Sequence, residues 1–136
     1  MRIRCFRPAI VVTLMVLAWS SATALRSHAN AAFSPSAWPQ DTGAPVNSSP
    51  VLGDIDRDGV LEIVIGSDNH KVYAWKPDGA LMPGWPVTTN DSVRSTAALA
   101  DLDGDGALEV IVGSFDNKVY AWNYHGSLLP GWPAST

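Results

Sequence analysis

The stretch that decides the fold is Asp54-Ile55-Asp56-Arg57-Asp58-Gly59-Val60-Leu61-Glu62, which runs directly into Ile63-Val64-Ile65-Gly66. Aspartates at the first, third and fifth loop positions, a glycine at the sixth and an acid at the ninth space oxygen donors as a hard cation such as Ca²⁺ requires. A backbone carbonyl at the seventh position completes the set. The candidate metal ligands are therefore Asp54, Asp56, Asp58, the carbonyl of Val60, and Glu62. Gly59 supplies the positive φ that curls the chain round an ion without a Cβ clash. The apolar, β-branched run after the loop reads as a strand.

The stretch returns 47 residues later as Asp101-Leu102-Asp103-Gly104-Asp105-Gly106-Ala107-Leu108-Glu109, followed by Val110-Ile111-Val112-Gly113. The second candidate set is Asp101, Asp103, Asp105, the carbonyl of Ala107, and Glu109. The offset holds beyond the loop without a gap. Lys71-Val72-Tyr73-Ala74-Trp75 returns as Lys118-Val119-Tyr120-Ala121-Trp122, and Pro83-Gly84-Trp85-Pro86 as Pro130-Gly131-Trp132-Pro133. Trp38-Pro39 fits the same frame one period earlier. A fixed period of this size signals a repeat architecture whose units bury their apolar faces only against neighbours.

An EF-hand is excluded, because its twelfth position is a bidentate Glu and here it is Ile65 and Val112, with no helical periodicity on either side. Metal-free polar turns are the weaker alternative. Converging carboxylates repel one another, and Arg57 is the one basic residue within the two loops. Mg²⁺ fits less well than Ca²⁺, since it prefers a rigid octahedral site and keeps its waters.

Each repeat reads as four short strands. In the first repeat they fall at about Pro50 to Gly53, Leu61 to Gly66, Lys71 to Trp75 and near Trp85 to Thr88, the last edge-like because Pro86 removes a ladder donor. Pro77-Asp78-Gly79 is a turn. Four strands per unit at this period predict an all-β fold of propeller blades: two four-stranded antiparallel blades plus a partial one, an incomplete propeller. A ring needs at least four blades, so further blades in cis or other copies are needed to close it. Two blades leave one outer face each, expected to carry residues such as Val72, Ala74, Val119 and Ala121 or their strand partners. Trp75 and Trp122 are assigned to packing between blades rather than to sugar stacking, whereas Trp85 and Trp132, each between Gly and Pro, are expected to be partly exposed. His70 and His125 have no histidine at the matching position of the other repeat and take no catalytic role.

The organisation along the chain is an export signal over 1–31, a lead-in over 32–47 with a partial blade end, repeat one over 48–94 and repeat two over 95–136. Arg2, Arg4 and Arg7 precede an apolar run from Ala9 to Trp19 that is short for a bilayer span, and two small-residue cleavage sites follow, ending at Ala24 and Ala31. Cleavage after Ala31 leaves five Lys and Arg against thirteen acids, a net charge of −8. Such a surface is a poor partner for nucleic acid or anionic membrane, and no stable membrane insertion is expected after cleavage. The expected location is extracellular, at the cell surface or periplasmic. Cys5 falls within the signal, so no disulfide stabilises the exported chain.

The Asp-x-Asp-x-Asp-Gly-x-x-Glu loop followed by an apolar strand and Gly-Ser resembles the FG-GAP/VCBS repeat of the integrin α-subunit propeller and of many bacterial secreted proteins. The resemblance covers about Ser48 to Thr136. It implies a β-propeller with Ca²⁺ in the loop between the first two strands of a blade, held by the two ligand sets named above. The ninth position is Glu where the integrin repeats usually have Asp. The Lys-Val-Tyr-Ala-Trp strands also resemble blades of quinoprotein-like propellers, a likeness of fold that carries no cofactor site. Two functional readings follow. The first is a secreted, calcium-binding repeat module for adhesion or for interaction with a protein or glycan, and not an enzyme. The alternative is a propeller piece of a secreted enzyme, a polysaccharide lyase or a protease. Export carries its own test: N-terminal sequencing of the exported product should find cleavage after Ala24 or Ala31, and an intact Met1 in a membrane fraction would overturn the signal assignment.

Overall fold

The computed structural model describes residues 37–136. The expected export signal and the start of the lead-in lie outside the described residues. Eight strands follow one another: β1 (Val51–Gly53), β2 (Glu62–Ser67), β3 (Lys71–Trp75), β4 (Val87–Thr88), β5 (Ala98–Ala100), β6 (Glu109–Ser114), β7 (Lys118–Trp122) and β8 (Ala134–Ser135). They form two separate antiparallel sheets, each ordered as in the chain, β1-β2-β3-β4 and β5-β6-β7-β8. The fold is all-β, as expected, and each sheet is one propeller-type blade. The fourth strand of each blade is only two residues long, because the proline before it has no N–H to donate.

Side-chain alternation gives each blade two apolar faces. In the first, Val64 pairs with Ala74 and Gly66 with Val72 on one face, while Ile63 pairs with Trp75 and Ile65 with Tyr73 on the other. The second blade repeats this register, with Val110 opposite Trp122 and Ile111 opposite Ala121. The core lies between the blades. Val64, Val72 and Ala74 belong with Val110, Val112, Tyr120 and Trp122 to one buried cluster, together with Met82, Trp85, Val87 and Val93 from the connecting segment.

This assignment corrects one expectation. Val72 and Ala74 are fully buried in the interface, and the outer face of the first blade carries Tyr73 and Trp75 instead. The lead-in covers that face. The Trp38 ring meets Trp75 edge-on at 6.0 Å, its Nε1 donates to the Pro77 carbonyl at 2.9 Å, and the Tyr73 hydroxyl donates to the Thr42 carbonyl at 3.1 Å. One period later the same element crosses between blades. Trp85 meets Trp122 at 6.5 Å, and its Nε1 donates to the Tyr124 carbonyl at 2.9 Å. Trp85 is therefore buried, against the expected partial exposure, whereas Trp132 is half-buried. On the outer face of the second blade Ile111 and Val119 are half-buried.

Val93 locks the blades together. It is fully buried, and its N–H donates to the Ser67 carbonyl at 3.1 Å. It sits so tightly over Gly66 that a Cβ there would lie 2.4 Å from its Cγ1 and 2.8 Å from its carbonyl oxygen. The matching glycine of the second blade, Gly113, has only Ser95 nearby, at 3.7 Å, and helps line an open pocket of about 290 Å³ with Ser95, Ser114, Phe115 and Asn117. The two glycines thus predict opposite outcomes. Gly66→Ala should cost about 1–3 kcal/mol by overpacking, which is at least about 4 °C in Tm for a domain of this size. Gly113→Ala should stay within about 0.5 kcal/mol of wild type. Thermal melts of the two variants check this.

Candidate metal centre

Each acidic loop joins the first two strands of its blade, β1 to β2 and β5 to β6. Short aspartate side chains shape it locally by accepting backbone N–H groups two to five residues on. In loop one Asp54 accepts from Gly59 at 3.0 Å, Asp56 from Asp58 at 3.2 Å and Asp58 from Val60 at 2.8 Å. In loop two Asp101 accepts from Gly104 at 2.7 Å and Gly106 at 3.0 Å, Asp103 from Asp105 at 3.1 Å and Asp105 from Ala107 at 2.7 Å. Gly59 and Gly106 both hold φ of 88°, where a Cβ would be strained. Arg57 holds φ of 65° with a side chain, and its Nη1 reaches across to donate to the Asp105 carbonyl at 2.9 Å.

The ninth-position glutamates enter from the strands. Glu62 and Glu109 are the first residues of β2 and β6, and both are fully buried. One oxygen of each folds back on the loop: Glu62 Oε2 accepts the Ile55 N–H at 2.9 Å and Glu109 Oε2 the Leu102 N–H at 2.7 Å. The other oxygen of each, together with Asp54 Oδ1, is buried without a hydrogen-bond partner. Orphaned buried carboxylate oxygens are costly, and a cation is the partner their chemistry suits. The residues present therefore fit a hard divalent ion.

The two loops gather different subsets of the candidate ligands. Asp54, Asp56 and Asp58 bring one oxygen each within 4.8 Å of one another in loop one, and Asp101, Asp103 and Glu109 do so in loop two. Glu62 and Asp105 stand outside these triads. Val60 is half-buried in its loop and Ala107 is buried at 3% exposure.

One charged group here escaped the sequence reading. Lys76, just after β3, places its Nζ 2.7 Å from Asp58 Oδ2 and 3.1 Å from Asp56 Oδ2. The hydrogen bond to Asp58 is the main cause that holds the ammonium's pKa above its ordinary value, with Asp56 adding to it. The matching residue one period on is Asn123, whose Oδ1 instead accepts the His125 and Ser127 N–H groups at 3.1 and 3.0 Å. That mismatch within an otherwise gapless repeat was the available signal.

A family model described as an FG-GAP-like repeat matches residues 54–112, from Asp54 of loop one through loop two into β6. Residues 54–112 are thus similar to an FG-GAP-like repeat. No curated protein sequence matches the chain. Among solved structures, BamB from Moraxella catarrhalis, a β-propeller, aligns with a TM-score of 0.55 and 22% identity over 73% of this chain and 26% of that chain. BBS1N in complex with ARL6DN, soaked with lead, aligns with a TM-score of 0.45 and 17% identity, over 72% of this chain and 31% of that one. The chain thus spans about a quarter of the BamB chain.

Burial pushes the Glu62 carboxyl up to about 7, and the charges of Asp56 and Asp58 push the same way. The Ile55 N–H and Lys76 oppose the rise. A carboxyl raised above its unfolded value contributes stability that is full below about 4.5 and lost as pH climbs through about 7. In EDTA, wild type should therefore lose stability relative to Glu62→Gln as pH rises from 4.5 to 7.5, as read from urea midpoints of the two proteins. Parallel pH profiles would contradict this.

Proposed function

We propose that this chain is a Ca²⁺-stabilised propeller-blade module of an exported protein, used for adhesion or for holding a protein or glycan ligand. The single observation that carries the metal reading is the Glu109 carboxylate. It is fully buried, its Oε1 has no partner, and it offers an oxygen within 4.8 Å of those of Asp101 and Asp103. A buried carboxylate set beside two further acidic groups persists in a folded protein when a cation meets it. Asp101, Asp103, Asp105, Glu109 and the Ala107 carbonyl would hold one ion, and Asp54, Asp56, Asp58, Glu62 and the Val60 carbonyl a second. Ca²⁺ suits an all-oxygen set in a loop better than Mg²⁺ does. The ion supplies charge neutralisation and a brace between the first two strands of a blade, and this adds stability by mass action.

The FG-GAP-like repeat and the propeller likeness support a module that works beside other blades. The uncovered Gly113 pocket and the half-buried Ile111 and Val119 suit a further blade, in cis or from another copy, seated as Val93 seats on Gly66. Export rests on Arg2, Arg4 and Arg7 ahead of the apolar run. Calorimetric titration of EDTA-treated protein should show up to two Ca²⁺ per chain, with a Tm gain equivalent to about 2.7 kcal/mol at a hundredfold excess over Kd. Asp56→Ala and Asp103→Ala should each remove one site. A folded sample with no heat and no Tm gain at millimolar Ca²⁺ would overturn the assignment.

A further inference from the structure

The two loops share all four acidic positions, yet they differ in what already neutralises them. In loop one the Lys76 ammonium sits on Asp56 and Asp58, two of the three carboxylates that converge there. Its side chain is only 30% exposed and Asp56 only 17%, so the pair is partly shielded from screening by salt. In loop two the matching Asn123 is turned into its own Asx turn. Arg57, which reaches this loop, is exposed and donates to the Asp105 backbone carbonyl rather than to a carboxylate. Loop two also has the better inner ligand: the orphaned Glu109 lies inside its triad, whereas Glu62 stands outside that of loop one.

We propose that the two sites are unequal: a divalent cation enters loop two first, and Lys76 acts as an internal competitor that must leave Asp56 and Asp58 before loop one can bind. This rests on the Ca²⁺ reading above and adds an order of filling to it. Lys76 carries a single charge and is tethered, so its local concentration does not change with dilution. Loop one then stays braced by its own side chain at Ca²⁺ levels that fill loop two alone. The first blade would hold its β1–β2 connection with or without the ion, and the second would depend on it.

The test is calorimetric titration of Ca²⁺ into EDTA-treated wild type, Lys76→Asn, Asp56→Ala and Asp103→Ala, each checked for folding by circular dichroism. Wild type should show either two sites whose Kd values differ by at least about tenfold, or one site alone. The tight site should vanish in Asp103→Ala and survive in Asp56→Ala. Lys76→Asn, which copies the second repeat, should tighten or create the weak site by about tenfold and leave the tight one unchanged. If Lys76→Asn does not fold, Lys76→Met serves in its place, and the two aspartate variants still assign the order without touching Lys76. Two equal sites in wild type, a tight site lost in Asp56→Ala, or a Lys76→Asn titration like that of wild type would each overturn the proposal and leave the Ca²⁺ reading standing. No binding to any of the proteins would instead overturn the Ca²⁺ reading itself.

Discussion

A four-stranded sheet with apolar residues on both faces has no second layer of its own, and everything else in this molecule answers that constraint. The segment from Trp85 to Val93 is the answer between the blades. Val87 and Thr88 complete the first sheet by pairing with Val72 and Lys71, so the segment belongs to blade one by its hydrogen bonds. Trp85 meanwhile packs on Trp122 and donates to the Tyr124 carbonyl, so it belongs to blade two by its side chain. Val93 then returns over Gly66. Full burial of one such side chain is worth about 1.5–3 kcal/mol, and the connection buries several within a few residues. The lead-in repeats part of the arrangement with Trp38 and Thr42 on the other face of blade one.

The acidic loops are built into this packing rather than hung on it. Ile55, the second residue of loop one, is fully buried in the inter-blade cluster, and its N–H is the donor that Glu62 accepts. Glu62 and Glu109 lead the central strands, so a candidate loop ligand and a strand residue are the same side chain. Glutamate rather than aspartate at this place has a structural reason. From the strand the longer side chain reaches back to the loop N–H with one oxygen and leaves the other turned inward without a partner. A polar loop on the surface thereby becomes coupled to core packing, so that an ion bound here would act on fold stability.

The two blades are alike in register and unlike in environment. The second residue of loop one is buried, whereas its counterpart in loop two, Leu102, is 48% exposed. Asp68, after β2, is bound by Arg94 at 2.8 Å, and the same arginine lies 5.2 Å from the Phe115 ring, so one cation joins a turn of each blade. The arginine of that pair is half exposed, so the pair contributes little by itself. Arg57 makes the corresponding crossing at the other end, from loop one to the Asp105 carbonyl. These cross-blade contacts come from residues that break the repeat: Arg57 stands where the second repeat has Gly104.

By itself the sequence determined the repeat unit, its strands and the two sets of acidic donors. Those properties are local: alternation gives the strand, the Asp-x-Asp-x-Asp-Gly spacing gives the turn, and a gapless offset gives the unit. β3 and β7 fall at Lys71–Trp75 and Lys118–Trp122, where the alternation put them. What the tertiary structure decided is which face meets which neighbour. Alternation shows that Val72 and Ala74 share a face opposite to Tyr73 and Trp75, but both faces are apolar, so periodicity carries no sign that would assign one to the interface. The burial of Trp85 was decided there too, because its partners Trp122 and Tyr124 lie one repeat further along the chain. So was the place of Lys76, which lies outside its loop in sequence and reaches Asp56 and Asp58 only because β3 returns antiparallel beside β2. Antiparallel pairing sets residues far apart in the chain side by side, and spacing along one strand does not report on them.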